Sequence, residues 1–271
     1  MFAALFAQEA RTLGGRNAAG AGLAALVCLG SLALTLLDIP KVTSLLFVMA
    51  VAAIIVMPMI ALIQIAVEYW QSMYGGRGYF TMSLPVRGRT VFAAKVLYAL
   101  AAALVTILAS ALLLLVWAAA MARTMGVSLG ELLEPLRLMV GMASTEGVVF
   151  MGASTLISMV VFVVQCASVM SIGAQGRWNH LGFGAPMIGF VVRYLVNQVV
   201  ALVSMLFFPL SIDLINGGFT TRTMLPMMIE AMRTNSDPVV LGVGTVVTAP
   251  ILTAFLTWWA VRAIERHTCL R

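Results

Sequence analysis

Residues 42–67 read VTSLLFVMAVAAIIVMPMIALIQIAV, a stretch of 26 residues without one charged side chain. About 20 apolar residues in a helix cross the roughly 30 Å hydrocarbon core of a bilayer. This stretch is therefore predicted to be a membrane-spanning helix. In lipid, backbone amides are satisfied only within a helix or a closed barrel, and the ten-residue alternation of a barrel is not visible in this chain.

Uncharged runs of this length recur along the whole chain. Of its 271 residues, 62% are hydrophobic and 10% are charged, against roughly 45–50% and about 25% in soluble domains. Arg193 interrupts the fifth run, which is still long enough to cross. We predict an all-α, polytopic membrane protein, residues 1–271 forming a single transmembrane domain, with six spans at about 17–37, 43–67, 96–122, 147–174, 185–211 and 238–261.

The segment before the first span has its own pattern. Apolar residues recur there at helical spacing, at Phe2, Leu5, Phe6 and Leu13. Polar residues lie between them, so residues 1–15 are predicted to form an interfacial helix that ends at Gly14 and Gly15. The alternative is a frayed start to the first span.

Charge distribution predicts the orientation. Lys and Arg concentrate in cytoplasmic loops, and eleven of the sixteen lie on one side of the predicted topology: Arg11, Arg16, Arg77, Arg87, Arg89, Lys95, Arg177, Arg193, Arg262, Arg266 and Arg271. Both termini are therefore predicted to be cytoplasmic. The net charge of +6 is explained by this topology and by anionic lipid on the inner leaflet, and nucleic-acid binding is not predicted.

Two short helices are predicted outside the spans on the opposite side. Ser128 and Glu131 have the spacing of a capping box, in which a serine and a glutamate cap the same helix N-terminus. Thr220 to Arg233 is predicted to be a second surface or re-entrant helix.

The sequence lacks the residues that hydrolysis would need. The only lysines are Lys41 and Lys95, and neither stands in the GxxxxGK[ST] loop that cradles ATP phosphates. No catalytic, metal or cofactor site is predicted. An intramembrane enzyme stays an alternative, with Ser154 as nucleophile and His180 as the base.

Polar side chains within the spans either pack between helices or line a translocation path. The candidate path-lining residues are Gln64, Gln165, Arg193, Asn197 and Gln198. The depth of Arg193 in the membrane depends on where the fifth span begins. We favour a start near Tyr194, with Arg193 reaching the headgroups, over a start near Leu181, which places Arg193 within the membrane against a polar cavity.

The stretch between spans two and three differs from the rest of the chain. Residues 68–90 read EYWQSMYGGRGYFTMSLPVRGRT, combining aromatic side chains, glycines clustered at 75, 76 and 78, and arginines at the predicted cytoplasmic surface. These glycines allow a sharp turn and a close backbone approach, and aromatic residues favour membrane surfaces. The stretch is predicted to be a rigid docking knob, the alternative being an ordinary interfacial loop held by an aromatic belt.

This stretch resembles the permease subunits of bacterial type-2 ATP-binding-cassette exporters. Such permeases commonly carry a GYL-x-x-tLPv pattern, followed by a basic residue and a lysine that opens the third span. The residues that match are Met73, Tyr74, Gly75, Gly78, Tyr79, Thr81, Ser83, Leu84, Pro85, Val86 and Lys95. Phe80 departs from the pattern, standing where leucine is usual.

The resemblance implies that residues 68–95 are a coupling loop that seats on a separate ATPase subunit. The implied coupling residues are Tyr74, Gly75, Gly76, Arg77, Gly78, Tyr79, Phe80, Ser83, Leu84, Pro85, Val86 and Arg87. It further implies a homodimer or heterodimer of permeases in a bacterial inner membrane, with ATP and Mg²⁺ bound by the partner ATPase.

Three alternatives to an ATP-driven exporter remain open from the sequence. They are an ATP-independent channel or secondary carrier, the intramembrane enzyme, and a membrane anchor that transports nothing. The cargo is not indicated by any residue pattern.

Overall fold

The structure is a computed structural model that describes residues 2–37, 39, 41–83, 85–142, 144–213 and 218–266. Its helices are α1 (Phe2–Leu34), α2 (Val42–Met73), α3 (Gly78–Ser83), α4 (Gly88–Met125), α5 (Leu129–Met142), α6 (Thr145–Gly173), α7 (Gly184–Phe207), α8 (Met224–Thr234) and α9 (Thr245–Arg266). Its strands are β1 (Ser211–Asp213), β2 (Phe219–Thr220) and β3 (Val240–Gly242).

The predicted all-α, polytopic membrane fold is confirmed. Six helices are long and apolar enough to cross a membrane, namely α1 with the short 3-10 turn that follows it, α2, α4, α6, α7 and α9. The chain divides into two compact units at Arg137 and Leu138. Unit 1 precedes that boundary and unit 2 follows it.

The first helix is longer than predicted. α1 runs through Gly14 and Gly15 without a break, so the predicted helix end at these glycines is wrong. Glycine lowers helix propensity by about 1 kcal/mol per residue, which tertiary contacts readily override. Leu13 and Asn17 flank the glycine pair and are buried, so packing on both sides holds this segment helical.

In unit 1, α1, α2 and α4 pack against one another. An apolar cluster joins α1 and α2 through Cys28, Phe47 and Ile54. Trp117 of α4 closes this cluster, because its ring meets Phe47 edge-on at 6.0 Å and its Nε1 donates to the Phe47 carbonyl at 3.2 Å. The pairing fixes α4 against α2 at this end of the unit.

The predicted capping box is confirmed at the start of α5. The backbone N–H of Ser128 donates to Glu131 Oε2 at 2.8 Å, and the N–H of Glu131 donates to Ser128 Oγ at 3.2 Å. Gly126, which ends α4, has a φ of 69°. A residue with a side chain is strained in that left-handed conformation, so this glycine allows α4 to stop just before α5 begins.

In unit 2, α6 packs against α7 and α9. The approach of α6 to α7 is close, since a Cβ on Gly173 would lie 2.7 Å from the Pro186 nitrogen. Polar side chains also bridge the three helices: Gln165 of α6 donates to Thr253 of α9 at 3.0 Å and accepts from Asn197 of α7 at 2.8 Å.

A small antiparallel sheet, which the sequence did not predict, lies between α7 and α9. Its strand order is β2-β1-β3, and α8 corresponds to the helix predicted within residues 220–233. As a result α7 ends at Phe207 and α9 begins at Thr245, so the predicted limits of 211 and 238 are corrected. Strands of two or three residues are too short for a periodic pattern, and their pairing is nonlocal.

We predict that Gly242→Ala destabilises this region. A Cβ at Gly242 would lie 1.9 Å from the Met205 carbonyl oxygen, which belongs to the backbone of α7 and cannot rotate away. Overpacking of this kind costs about 1–3 kcal/mol or more, so the melting temperature of the detergent-purified protein should fall by about 5–10 °C. Gly218→Ala is the matched control, because a Cβ there meets nothing within 4 Å. Equal melting temperatures for the two variants would contradict the prediction.

Candidate functional site

The connection between α2 and α4 is more ordered than a loop. The predicted coupling loop covered residues 68–95, but α2 continues to Met73 and α4 starts at Gly88. The non-helical residues are reduced to two short turns on either side of α3. We call residues 74–87 the coupling segment, after the role predicted for them. Its aromatic side chains lie on α3 or at the end of α2.

Tyr79 and Phe80 are the exposed aromatic residues of the coupling segment. Their exposed fractions are 59% and 63%. Tyr74 was predicted to join them, but it is buried, with its ring 5.4 Å from Trp70 and 6.2 Å from Tyr69. It occupies the C-terminal cap position of α2 and continues the aromatic packing of that helix, so only Tyr79 and Phe80 form an outward aromatic pair.

The three glycines of the segment have different environments. A Cβ on Gly75 would lie 3.1 Å from the backbone of Gln71, Gly76 faces open space, and Gly78 is buried. None of the three has a positive φ, since among the described glycines only Gly126 and Gly182 do. The close backbone approach predicted for these glycines is found at Gly75, against the end of α2.

The remaining predicted coupling residues lie around α3. Arg77, Ser83, Pro85 and Arg87 are exposed, Val86 is half-buried, and Leu84 lies outside the described residues. Thr81 fastens α3 to α2, because its hydroxyl donates to the Ser72 carbonyl at 2.7 Å.

Buried Glu68 anchors the coupling segment to two helices. Its side chain is 3% exposed, and both carboxylate oxygens are paired: Arg77 contacts Oε1 at 2.7 Å and Oε2 at 2.8 Å, and Arg16 of α1 contacts Oε2 at 3.3 Å. A carboxylate held in this two-pronged way by arginine is both strong and geometrically specific. The hydrogen bond to Glu68 also raises the pKa of Arg77, so its charge persists at any physiological pH.

Lys95 forms a second buried pair beside the first. Its Nζ donates to Glu9 Oε1 of α1 at 2.5 Å and to Ser72 Oγ of α2 at 2.8 Å. The Lys95 side chain is 6% exposed and that of Glu9 is 18% exposed. We call Glu9, Arg16, Glu68, Arg77 and Lys95 the charged cluster.

The charged cluster connects α1, α2, α4 and the coupling segment at one end of unit 1. Its members lie before the first predicted span, after the second and before the third, where the helices extend past the hydrocarbon. At 1.5 Å per residue, α1 and α4 are about 50 and 57 Å long, well beyond the roughly 30 Å of the bilayer core. Displacement of α3 would therefore be transmitted to three long helices through ion pairs whose Glu68 and Lys95 members are buried.

The candidate path-lining residues have different environments within their own units. Gln165 is fully buried and forms hydrogen bonds with Thr253 and Asn197. It therefore packs between helices, which was one of the two roles considered for polar side chains in the spans. Gln198 is exposed on α7, and Gln64 lies in unit 1, against Gly20 of α1. Gln165 and Asn197 are brought together, while Gln64 and Gln198 are not part of their network.

Arg193 lies inside a helix, contrary to the favoured prediction. α7 begins at Gly184, so Arg193 is nine residues into it, about 14 Å along its axis. Its guanidinium lies 5.1 Å from the centre of the Phe162 ring and donates to Cys166 Sγ at 2.9 Å.

Ser154 and His180, the nucleophile and base of the intramembrane-enzyme alternative, do not lie together. Ser154 donates to the Met151 carbonyl of its own helix at 3.0 Å. It lies 19 residues from the end of α6 at Gly173, about 28 Å at 1.5 Å per residue, and His180 follows beyond that end.

Sequence reasoning missed Glu9, Arg16 and Ser72 as parts of the site. One available signal was that Glu9 and Glu68 are two of the few acidic residues on the arginine-rich side. Family models, curated proteins and solved structures were all compared with the chain, and none matches it. Any functional assignment therefore depends on the residues themselves.

Proposed function

We propose that this protein is the membrane-embedded subunit of an ATP-driven exporter, coupled to a separate ATPase chain through residues 74–87. The observation that carries this proposal is the pair Tyr79 and Phe80, exposed on a short helix that Glu68 and Thr81 fasten to the spans. Interfaces concentrate their binding energy in such aromatic and arginine anchors. Arg77 and Arg87 flank the pair and are exposed, which fits a partner surface that includes acidic groups.

Energy transfer to the spans follows from the anchoring. An ATPase that moves α3 on binding or hydrolysing ATP would pull on Glu68, and thereby on α1 and α2. Alternating access requires two conformations of similar energy whose balance the partner shifts. The helices of unit 1 would transmit this movement. A second permease subunit, identical or related, would complete the translocation path. The setting proposed is the inner membrane of a bacterium, with ATP and Mg²⁺ held by the partner.

We predict that a photoreactive amino acid at position 80, introduced into the chain in its source cell, crosslinks to a protein carrying a GxxxxGK[ST] loop. Position 136 is the matched control, because Leu136 is 59% exposed but is predicted to lie on the opposite side of the membrane. The adducts are identified by mass spectrometry, and the purified complex is assayed for ATP hydrolysis. Adducts with lipid alone at position 80, or the same ATPase at both positions, would contradict the proposal.

A further inference from the structure

Unit 2 contains an open groove of about 310 Å³ that the proposed function does not use. It lies between α6, α7, α9 and the 3-10 turn Gly176–Leu181. Much of its wall is aliphatic, formed by residues that include Val169, Ile188, Val192, Val196, Leu252 and Leu256. A wall of this kind matches a hydrocarbon chain.

Two arginines line the same groove. Arg177 stacks on Trp178 at 5.1 Å and on Trp259 at 5.9 Å, distances to the ring centres. Arg193, with its contacts to Phe162 and Cys166, is the second. Its Nε is buried without a hydrogen-bond partner among the described residues.

The two positive charges have no counter-charge in this part of the protein. Across residues 144–213 and 218–266, neither Arg177 nor Arg193 forms an ion pair, and no acidic residue lines the groove. A guanidinium in apolar surroundings is stabilised strongly by an anion that brings charge-assisted hydrogen bonds. Stacking on tryptophan holds Arg177 in place but leaves its charge uncompensated.

We propose that this groove binds one membrane phospholipid with an anionic headgroup. The phosphate contacts Arg177, beside the tryptophans that favour the headgroup level of a bilayer, and an acyl chain lies along the aliphatic wall. Arg193 adds a second positive charge deeper in the groove. The inference does not depend on the exporter proposal, because the groove lies in unit 2 and the coupling segment lies in unit 1.

Brominated phospholipids provide the test, because bromine quenches tryptophan fluorescence only at short range. The chain is reconstituted with Trp70, Trp117 and Trp258 replaced by phenylalanine, so that Trp178 and Trp259 report. Quenching by chain-brominated phosphatidylglycerol is compared with that by chain-brominated phosphatidylcholine at equal mole fraction. We expect the anionic lipid to bind about 25-fold more tightly, since each of the two arginines contributes on the order of fivefold.

Variants of the two arginines separate a specific site from general attraction. Arg177→Gln combined with Arg193→Gln should reduce the preference to about one, whereas Arg177→Lys, which keeps the charge, should retain most of it. Arg262→Gln is the matched control, because Arg262 is an arginine of α9 that does not line the groove. Equal quenching by the two lipids in the parent, or an equal loss in Arg262→Gln, would overturn the proposal. Quenching by neither lipid would mean that a protein surface covers the groove and would overturn it as well.

Discussion

Replacing Glu9 by alanine is expected to destabilise the protein by about 3 kcal/mol, because it leaves the buried ammonium of Lys95 without a counter-charge. Lys95 is 6% exposed, and it also donates to the Ser72 hydroxyl at 2.8 Å. A neutral hydroxyl does not compensate a desolvated charge. The melting temperature of the purified protein should therefore fall by roughly 6–12 °C.

The double variant Glu9→Ala with Lys95→Met gives the sharper measurement. Removing both charges eliminates the uncompensated ammonium, so the double variant should be more stable than Glu9→Ala alone. Arg11→Ala is the control for α1, since Arg11 is charged, near Glu9 in sequence and exposed; its melting temperature should stay within about 2 °C of the parent. A double variant less stable than Glu9→Ala would show that the ion pair does not hold α1 against α4.

Loss of the outward aromatic pair should abolish coupling without unfolding the protein. Tyr79→Ala combined with Phe80→Ala removes two exposed rings, and aromatic anchors at interfaces contribute about 2 kcal/mol or more each. Affinity for the proposed partner ATPase should therefore fall by roughly a thousandfold, and stimulated ATP hydrolysis should fall with it. The melting temperature should change little, because both rings are more than half exposed.

The control for this variant removes the same number of exposed rings elsewhere. Phe255→Ala combined with Trp258→Ala affects α9, where the exposed fractions are 53% and 57%. That variant should retain ATPase binding in reconstituted membranes. If it loses binding to the same extent, the rings of the coupling segment act only as membrane-surface anchors, which was the interfacial-belt alternative.

In the proposed function, Tyr79 and Phe80 would receive the partner, and Glu68 would pass the displacement to α1 and α2 through Arg16 and Arg77. A change that weakens the charged cluster while sparing the aromatic pair should leave ATPase binding intact but reduce transport per ATP hydrolysed. Binding and energy transfer can therefore be separated within this one segment.

The fold class followed from the sequence because it depends on local properties. An uncharged run such as residues 42–67 crosses a bilayer as a helix whatever its neighbours are. The capping box of Ser128 and Glu131 was equally readable, since its two hydrogen bonds join residues three positions apart. The helix limits were harder to predict from the sequence. Packing of Leu13 and Asn17 keeps α1 helical through Gly14 and Gly15, despite the low helix propensity of glycine.

The site depended on tertiary structure because its contacts join distant residues. Lys95 meets Glu9 across 86 positions, and which face of α4 turns towards α1 is decided by the packing of both helices together. Packing against Tyr69 and Trp70 likewise places Tyr74 inside, while Tyr79 and Phe80 face outward on α3. The sequence by itself determined that the chain crosses the membrane in helices, because burial in lipid is a property of each segment. Only the tertiary structure decided which charges are paired and which aromatic rings remain exposed, because that requires the mutual orientation of several helices.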